Sequence, residues 1–321
     1  LRCLGEHLNN IRGIALLMVL WVLVLLMVMV MSFTYMTRIE TDSEVFFADK
    51  IKNDFILEGA IHRAILEIQY AKLHPDEEDI WNLRGLLNRG TIDGEEYWVR
   101  IYPESTRLDL NHTADVILKG LLRHLGVEKE RIEVIVDSLL DWRDKDNLHR
   151  LNGAEDEYYS SLPRPYRCKN SNLEAVEELL LIKGMDEDIF YGNENKKGLR
   201  DYVTVYSLSG MLNINTAPRE LLLSIPGFSE ELVETVIQYR KEQPIRNPAE
   251  LQSLIGGAYA SVGRFLTVGD EGTFRIEAFS GRGTSSLEAV VRLDSAGFKI
   301  LYWKRGIKTK EINNERTSEQ G

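Results

Sequence analysis

The sequence predicts an α+β protein in which a long N-terminal helix and an antiparallel β-sheet frame a large inserted α-helical domain. Three observations carry this reading. Every residue from Ile14 to Met31 is apolar, and a helical spacing of apolar residues then continues to Leu73. Stretches rich in β-branched and aromatic residues flank the middle of the chain, at Tyr97–Tyr102 and Phe274–Trp303. Between them, 108–142 and 212–242 read as two weakly similar copies of strand, Asn-containing turn, short helix, Gly hairpin and second helix.

Length and composition bound the function. At 321 residues the chain is long enough for about two domains. With 44% apolar and 28% charged residues it is foldable throughout its bulk. A net charge of −11 argues against a general nucleic-acid binder, because phosphate contacts need a basic face. Two cysteines, Cys3 and Cys168, make neither a disulfide scaffold nor a four-thiol zinc site. The six His form no H-E-x-x-H, and there is no G-x-S-x-G elbow. Nothing argues for catalysis, so the chain reads as a non-enzyme.

The apolar run comes first. Eighteen helical residues reach about 27 Å, close to the thickness of a bilayer core. Arg2, Glu6 and Arg12 leave the first 13 residues at +1 and the remainder at −12. The positive-inside rule then places the short head in the cytoplasm and the acidic bulk outside, which in a bacterium is the periplasm. Cys3 and Cys168 fall on opposite sides and cannot pair. No small-residue signal-peptidase site follows Met31; instead Gly13 sits directly before the run. This resembles a type IV prepilin leader. The resemblance implies cleavage between Gly13 and Ile14 by a prepilin peptidase and N-methylation of Ile14. Most pilins carry Glu at the fifth mature position, where it is thought to pair with a neighbouring subunit's amine; here that position is Met18. The expected segments are 1–13 as leader, 14–36 as the transmembrane half of the helix and 37–73 as its periplasmic half.

Phe47, Ile51 and Phe55, then Ile61, Ala64, Ile65 and Ile68, continue the helical stripe. Residues 74–110 are expected to begin a pilin-like β region: His74–Gly94 is polar and turn-rich, Tyr97–Tyr102 is a strand ending at Pro103, and Arg107–Leu110 could pair with it. Thr113 and Thr216 are expected helix caps, with Pro218 in a first turn and Gly126 and Gly227 breaking the two helix pairs. A third hairpin is expected at Leu181–Met185, and 144–172 reads as loop. The expected divisions are an inserted helical domain with an acidic loop at 111–202, a second helical-hairpin unit at 203–268, a β-meander at 269–306 and a disordered tail at 307–321.

Two constellations bear on chemistry. The hairpins resemble helix-hairpin-helix units, but Glu128, Glu130, Asp186, Glu187, Asp188, Glu230 and Glu231 stand where a phosphate would bind. They read as packing units rather than DNA contacts. The densest acidic cluster is Asp141, Asp144, Asp146, Glu155 and Asp156. Asp144, Asp146 and Glu155 fall at positions 1, 3 and 12 of an EF-hand loop, although His149 occupies the place of its Gly. The cluster is either a solvated acidic loop or a structural calcium site.

The leader with Met18, the run DSLLDWRDKDN…NGAEDEYYSSLPRPYRCKN and the segment LNINTAPRELLLSIPGF together resemble the type II secretion system protein K family, over nearly the whole chain. The resemblance implies a minor pseudopilin: a pilin-like long helix and sheet carrying a large helical domain with SAM-like, helix-hairpin-helix-like units. It implies a place at the pseudopilus tip, priming assembly in the inner membrane for export of folded proteins. The implied partners are pseudopilins I and J, the major pseudopilin, the prepilin peptidase and the inner-membrane assembly platform, with no nucleic acid. Related proteins bind calcium in the inserted domain; no other cofactor is implied. A minor pilin of a type IV pilus and a membrane-anchored DNA-binding protein are the alternatives.

Overall fold

The computed structural model describes residues 2–74, 77, 81–193, 196–281 and 285–306, with side chains except at 2–15, 41 and 42. In chain order the elements are α1 (Arg2–Leu73), β1 (Leu87–Ile92), β2 (Glu95–Pro103), β3 (Leu108–Asp109), α2 (Asp115–His124), α3 (Lys129–Arg143), α4 (Asp156–Ser160) and α5 (Glu187–Tyr191). They continue as β4 (Gly192–Asn193), β5 (Lys196–Lys197), β6 (Val203–Thr204), β7 (Leu212–Asn213), α6 (Arg219–Leu223), α7 (Glu230–Glu242), α8 (Pro248–Ile255) and α9 (Tyr259–Val262). The last are β8 (Leu266–Thr267), β9 (Thr273–Ser280), β10 (Ser286–Asp294) and β11 (Gly297–Gly306).

The chain forms two compact units, Leu1–Ile56 and Leu57–Gly321. The first is helix only. Its apolar residues from Leu16 to Met36 are exposed, as are Phe47, Ile51 and Phe55. In the second unit the remainder of α1 buries Leu57, Ala60, Ile61, Ala64, Ile65 and Ile68, spaced so that they share one helix face. That face lies on an antiparallel sheet of order β1-β2-β9-β10-β11. The contacts between them include the His62 ring against Phe298 and an ion pair from Arg305 to Glu58. Val99, Ile101, Phe274, Ile276, Ala278, Leu287, Ala289 and Val291 line the buried side of the sheet. The expected long helix, strand and meander are all present. The tail at 307–321 and the turn residues 282–284 lie outside the described residues.

The helical insertion leaves the sheet after β2 and returns at β9, and these two strands are neighbours. A buried ion pair joins the two crossing points. Arg275 in β9 donates Nε and Nη2 to Glu104, at 3.0 and 2.5 Å. Its Nη1 reaches Glu288 in β10, and Thr204 in β6 donates its hydroxyl to Glu104. Beside them Glu277 accepts from the Tyr102 hydroxyl at 2.9 Å and from Arg100 at 3.4 Å. These groups lie on the face of the sheet opposite α1, because residues alternate sides along a strand.

Within the insertion one arrangement occurs twice. In the first copy β3 pairs parallel with β6, in the second β7 pairs parallel with β8. Leu110 N–H donates to the Thr204 carbonyl at 2.8 Å, and Ile214 N–H to the Thr267 carbonyl at 2.9 Å. Asn111 grips the backbone of Leu173 through both ends of its amide, and Asn215 grips Ile245 the same way. Arg143 Nη1 donates to the Leu110 carbonyl at 2.5 Å, and Arg240 Nη1 to the Ile214 carbonyl at 2.7 Å. Burial lowers the pKa of both arginines from their ordinary value. Gly126 and Gly227 turn the two helix pairs at φ +78° and +86°, a region that side chains disfavour.

Three local expectations change. Arg107–Leu110 does not pair with β2: after Pro103 a 3-10 turn, Glu104–Thr106, redirects the chain and β3 pairs with β6. Strand β1 lies in the stretch read as turn-rich, since its sequence, LNRGTI, lacks an apolar alternation. Thr113 and Thr216 do not cap helices; Ala114 and Pro218 stand at those positions. The entry turns are instead made by Asp109, whose Oδ1 accepts from Asn111 N–H, and by Asn213, whose Oδ1 accepts from Asn215 N–H.

Removing one partner of a buried pair strands the other charge. Glu104→Ala is expected to cost about 3–5 kcal/mol, and adding Arg275→Met to restore much of it. Denaturant midpoints followed by tryptophan fluorescence check both.

Candidate functional site

The acidic cluster is built at the end of α3. Asp141 and Asp144 are three residues apart, so the helix presents them on one face. Asp141 is completely buried, and Asp144 ends the helix with its N–H on the Leu140 carbonyl at 3.1 Å. The chain turns at Asp146, whose Oδ1 accepts from Leu148 N–H at 2.8 Å, and returns over Asp141. There Arg150 N–H meets Asp141 Oδ1 and Oδ2 at 3.3 and 3.1 Å. Arg150 Nη1 stands 2.5 Å from Asp141 Oδ1 and 2.6 Å from Asp144 Oδ2. Gly153 passes so close that a Cβ there would lie 1.8 Å from Asp141 Oδ2, so a side chain at this position would displace the carboxylate. Glu155, 4% exposed, then enters from the first end of α4.

The structure thus brings together Asp141, Asp144 and Glu155, with one ligand atom from each lying within 4.8 Å of the others. Asp146 stays in its exposed turn. Asp156 faces elsewhere and accepts from Cys168 N–H at 2.8 Å. Asp144 Oδ1 and both Glu155 oxygens are buried and accept no hydrogen bond. Asn170 Oδ1 is likewise buried without a hydrogen bond, while its amide nitrogen donates to Asn147 Oδ1 at 3.1 Å. Nothing in the run KNSN distinguishes Asn170, and its left-handed φ of +50° emerges only on folding.

Burial raises the Glu155 pKa, and the charges of Asp141, Asp144 and Asp146 raise it further. Burial, reinforced by Glu155, pushes the Cys168 thiol up to about 12, so without a metal it is a protonated, weak donor beside the carboxylates. The three groups gathered here offer carboxylate oxygens, which are hard donors. Calcium–oxygen distances of about 2.3–2.6 Å put opposed ligands roughly 4.8 Å apart, so the cluster fits a calcium-sized cation. Three carboxylates against one guanidinium also leave a net negative charge for such an ion to balance.

A second layer fixes the loop. The rings of Trp142 and Tyr159 meet edge to face at 5.2 Å, and Tyr166 stacks on Tyr159 at 5.2 Å. Glu178 accepts from Trp142 Nε1 at 3.3 Å, Lys169 Nζ at 2.8 Å and the N–H groups of Glu174 and Ala175. Lys183 Nζ reaches the Gly153 carbonyl at 3.0 Å and the Asn152 carbonyl at 3.4 Å. At the other end of the chain, Gly13 and Ile14 have helical backbone and their side chains are outside the described ones, while Met18 is exposed.

Comparison with known proteins follows this architecture. Two family models, both described as type II secretion system protein K, match residues 81–207 and 212–267. The chain belongs to the type II secretion system protein K family. The first match includes the first copy and the acidic loop; the second spans β7 to β8. The Klebsiella pneumoniae protein K is 29% identical over 80% of this chain and 79% of its own length. The Pectobacterium carotovorum protein K is 38% identical over about a third of each protein, 35% and 33%. Among solved structures, a chain of the GspK–GspI–GspJ complex from the enterotoxigenic Escherichia coli type 2 secretion system matches with TM-score 0.59. That likeness, at 18% identity, covers 80% of this chain and 98% of that one, and shows the fold.

The support under the loop has a pH signature. Burial would raise the Glu178 pKa, but Lys169 and the N–H groups of Glu174, Ala175 and Trp142 outweigh it and hold the pKa below the usual glutamate value. A lowered folded pKa stabilises above the unfolded value, and that stability is lost as pH falls through the folded one. Glu178→Gln is expected to cost roughly 1.5–3 kcal/mol near neutrality and to flatten the acid limb below about pH 4.3. Denaturation of both proteins across that range is the measurement.

Proposed function

We propose that this protein is a minor pseudopilin of the type II secretion system, placed at the pseudopilus tip, where it caps the filament and primes assembly for export of folded proteins. The observation that carries the reading is a helix apolar and exposed over a bilayer's length on a chain whose remainder matches protein K. Exposed apolar surface of that extent requires lipid or another helix. Residues 1–13 are the leader, removed between Gly13 and Ile14 by the prepilin peptidase. Residues 14–36 then span the inner membrane and 37–73 run through the periplasm. The head is periplasmic, with helix-hairpin-helix-like packing units in 111–202 and 203–268. Partners are pseudopilins I and J, supported by the complex in which the similar chain was solved, together with the major pseudopilin and the inner-membrane platform. Met18 fits a tip subunit, which has no neighbour above it whose amine needs a carboxylate.

The head binds a structural calcium at Asp141, Asp144 and Glu155, the three carboxylates of the acidic loop that the fold gathers. The ion supplies positive charge to buried carboxylates and joins the end of α3 to the start of α4.

Mass spectrometry of the protein isolated from membranes is expected to find N-methylated Ile14 as the first residue; an intact leader removes the pilin-type reading. Calcium is expected to raise the thermal midpoint over chelator, with the rise lost in Asp144→Ala and Glu155→Gln. No calcium shift in the parent protein removes the metal.

A further inference from the structure

The guanidinium at the cluster stands where a cation would. Arg150 Nη1 donates to one oxygen each of Asp141 and Asp144, so one positive charge already bridges the two carboxylates. It satisfies one oxygen of each aspartate and leaves Asp144 Oδ1 and both Glu155 oxygens without a partner. Glu155 is more than nine-tenths buried, and its carboxylate belongs to the same cluster. A carboxylate desolvated to that degree, with only the weak thiol donor of Cys168 beside it, is costly, so the cluster is under-neutralised by Arg150 alone.

The side chain is free to leave. It is 39% exposed, on a turn whose neighbours Leu148 and Leu151 are 79% and 94% exposed. It can swing into water without crossing the core. Its backbone N–H on Asp141 does not depend on the side chain, so the turn keeps its anchor. Lys183 is a poor substitute: its ammonium is engaged by the carbonyls of Asn152 and Gly153 and lies over the Tyr158 ring.

We propose that Arg150 is a built-in competitor for the calcium site: its guanidinium occupies the cluster when calcium is absent and is displaced into solvent when the dication binds. This rests on the calcium reading above. The exchange replaces one positive charge by two. It keeps the loop folded without metal and weakens apparent calcium affinity, because each ion that binds must first break the Arg150 pairs with Asp141 and Asp144.

The test is calcium titration of the detergent-solubilised full chain by calorimetry, in parent, Arg150→Gln and Arg150→Lys proteins. Hydrogen bonds between charged groups of this kind lead us to expect about tenfold tighter binding in Arg150→Gln, and a smaller gain in Arg150→Lys. Arg150→Gln should also melt below the parent in chelator and match it in saturating calcium. In the parent, calcium should increase phenylglyoxal labelling of Arg150, read by peptide mapping, and this measurement needs no variant. Calcium binding by the parent with equal or weaker binding by Arg150→Gln, or labelling of Arg150 unchanged or reduced by calcium, overturns the competitor and leaves the metal site standing. Binding by neither protein overturns both. Binding by Arg150→Gln alone supports the competitor in its strongest form.

Discussion

The buried pair of Glu104 and Arg275 is the constraint on which the head depends. A large helical insertion interrupts a sheet between adjacent strands, so its two ends must be held side by side. Pro103 and Phe274 are register partners at the edge of that interruption, and Glu104 and Arg275 are their neighbours. Glu104 is fully buried and begins the insertion; Arg275 belongs to the returning strand. Bidentate guanidinium–carboxylate geometry fixes orientation as well as distance, which a hydrophobic contact at the same place would not do. Thr204 adds a third element, the strand that closes the first copy of the internal repeat.

That repeat explains where the acidic loop comes from. Each copy uses a leucine-led strand, a turn-forming Asp or Asn, a second Asn that clamps a distant backbone, and an Arg that returns to the strand. In the second copy the clamped residue, Ile245, follows helix α7 after only Gln243 and Pro244. In the first copy the clamped residue, Leu173, follows α3 after the 29 residues from Asp144 to Asn172. The candidate metal loop is therefore an excursion from one copy with no counterpart in the other. Its length does not disturb the copy, because Asn111 and Arg143 close the unit beneath it just as Asn215 and Arg240 do.

Much of this was legible in the sequence wherever periodicity or composition had a single physical meaning. An unbroken apolar run, strands of alternating aromatic and β-branched residues, and glycines between amphipathic segments each admitted few structures. The failures share a cause: the deciding partner was remote. Strand β1 is polar, and it exists because β2 offers it a ladder and Asn88 bonds back to the Asn82 and Val99 carbonyls. Thr113 and Thr216 lost the capping role because Asp109 and Asn213 had already shaped the turn. In the acidic loop Asp141, Asp144 and Glu155 were named and do meet, while Asp146 and Asp156 do not join them, because residues three apart on a helix converge where residues two apart in a loop need not. Arg150 carried no signal at all, since its meaning lies in the two carboxylates it reaches.

Those carboxylates also stand at one end of a continuous series of contacts. Arg143, between Asp141 and Asp144 on α3, donates to the Leu110 carbonyl; Leu110 N–H donates to the Thr204 carbonyl; the Thr204 hydroxyl donates to Glu104, which holds Arg275. Contiguity of this kind is not in itself communication, which requires an element with two arrangements. Every link in the series is a satisfied hydrogen bond among largely buried groups, and breaking one strands a polar atom. The series behaves as a brace that carries the rigidity of the sheet out to α3. The movable parts lie beyond it, in a half-exposed guanidinium and three buried oxygens without donors. A cation bound there would act on the loop while the hydrogen-bonded frame beneath it keeps its partners.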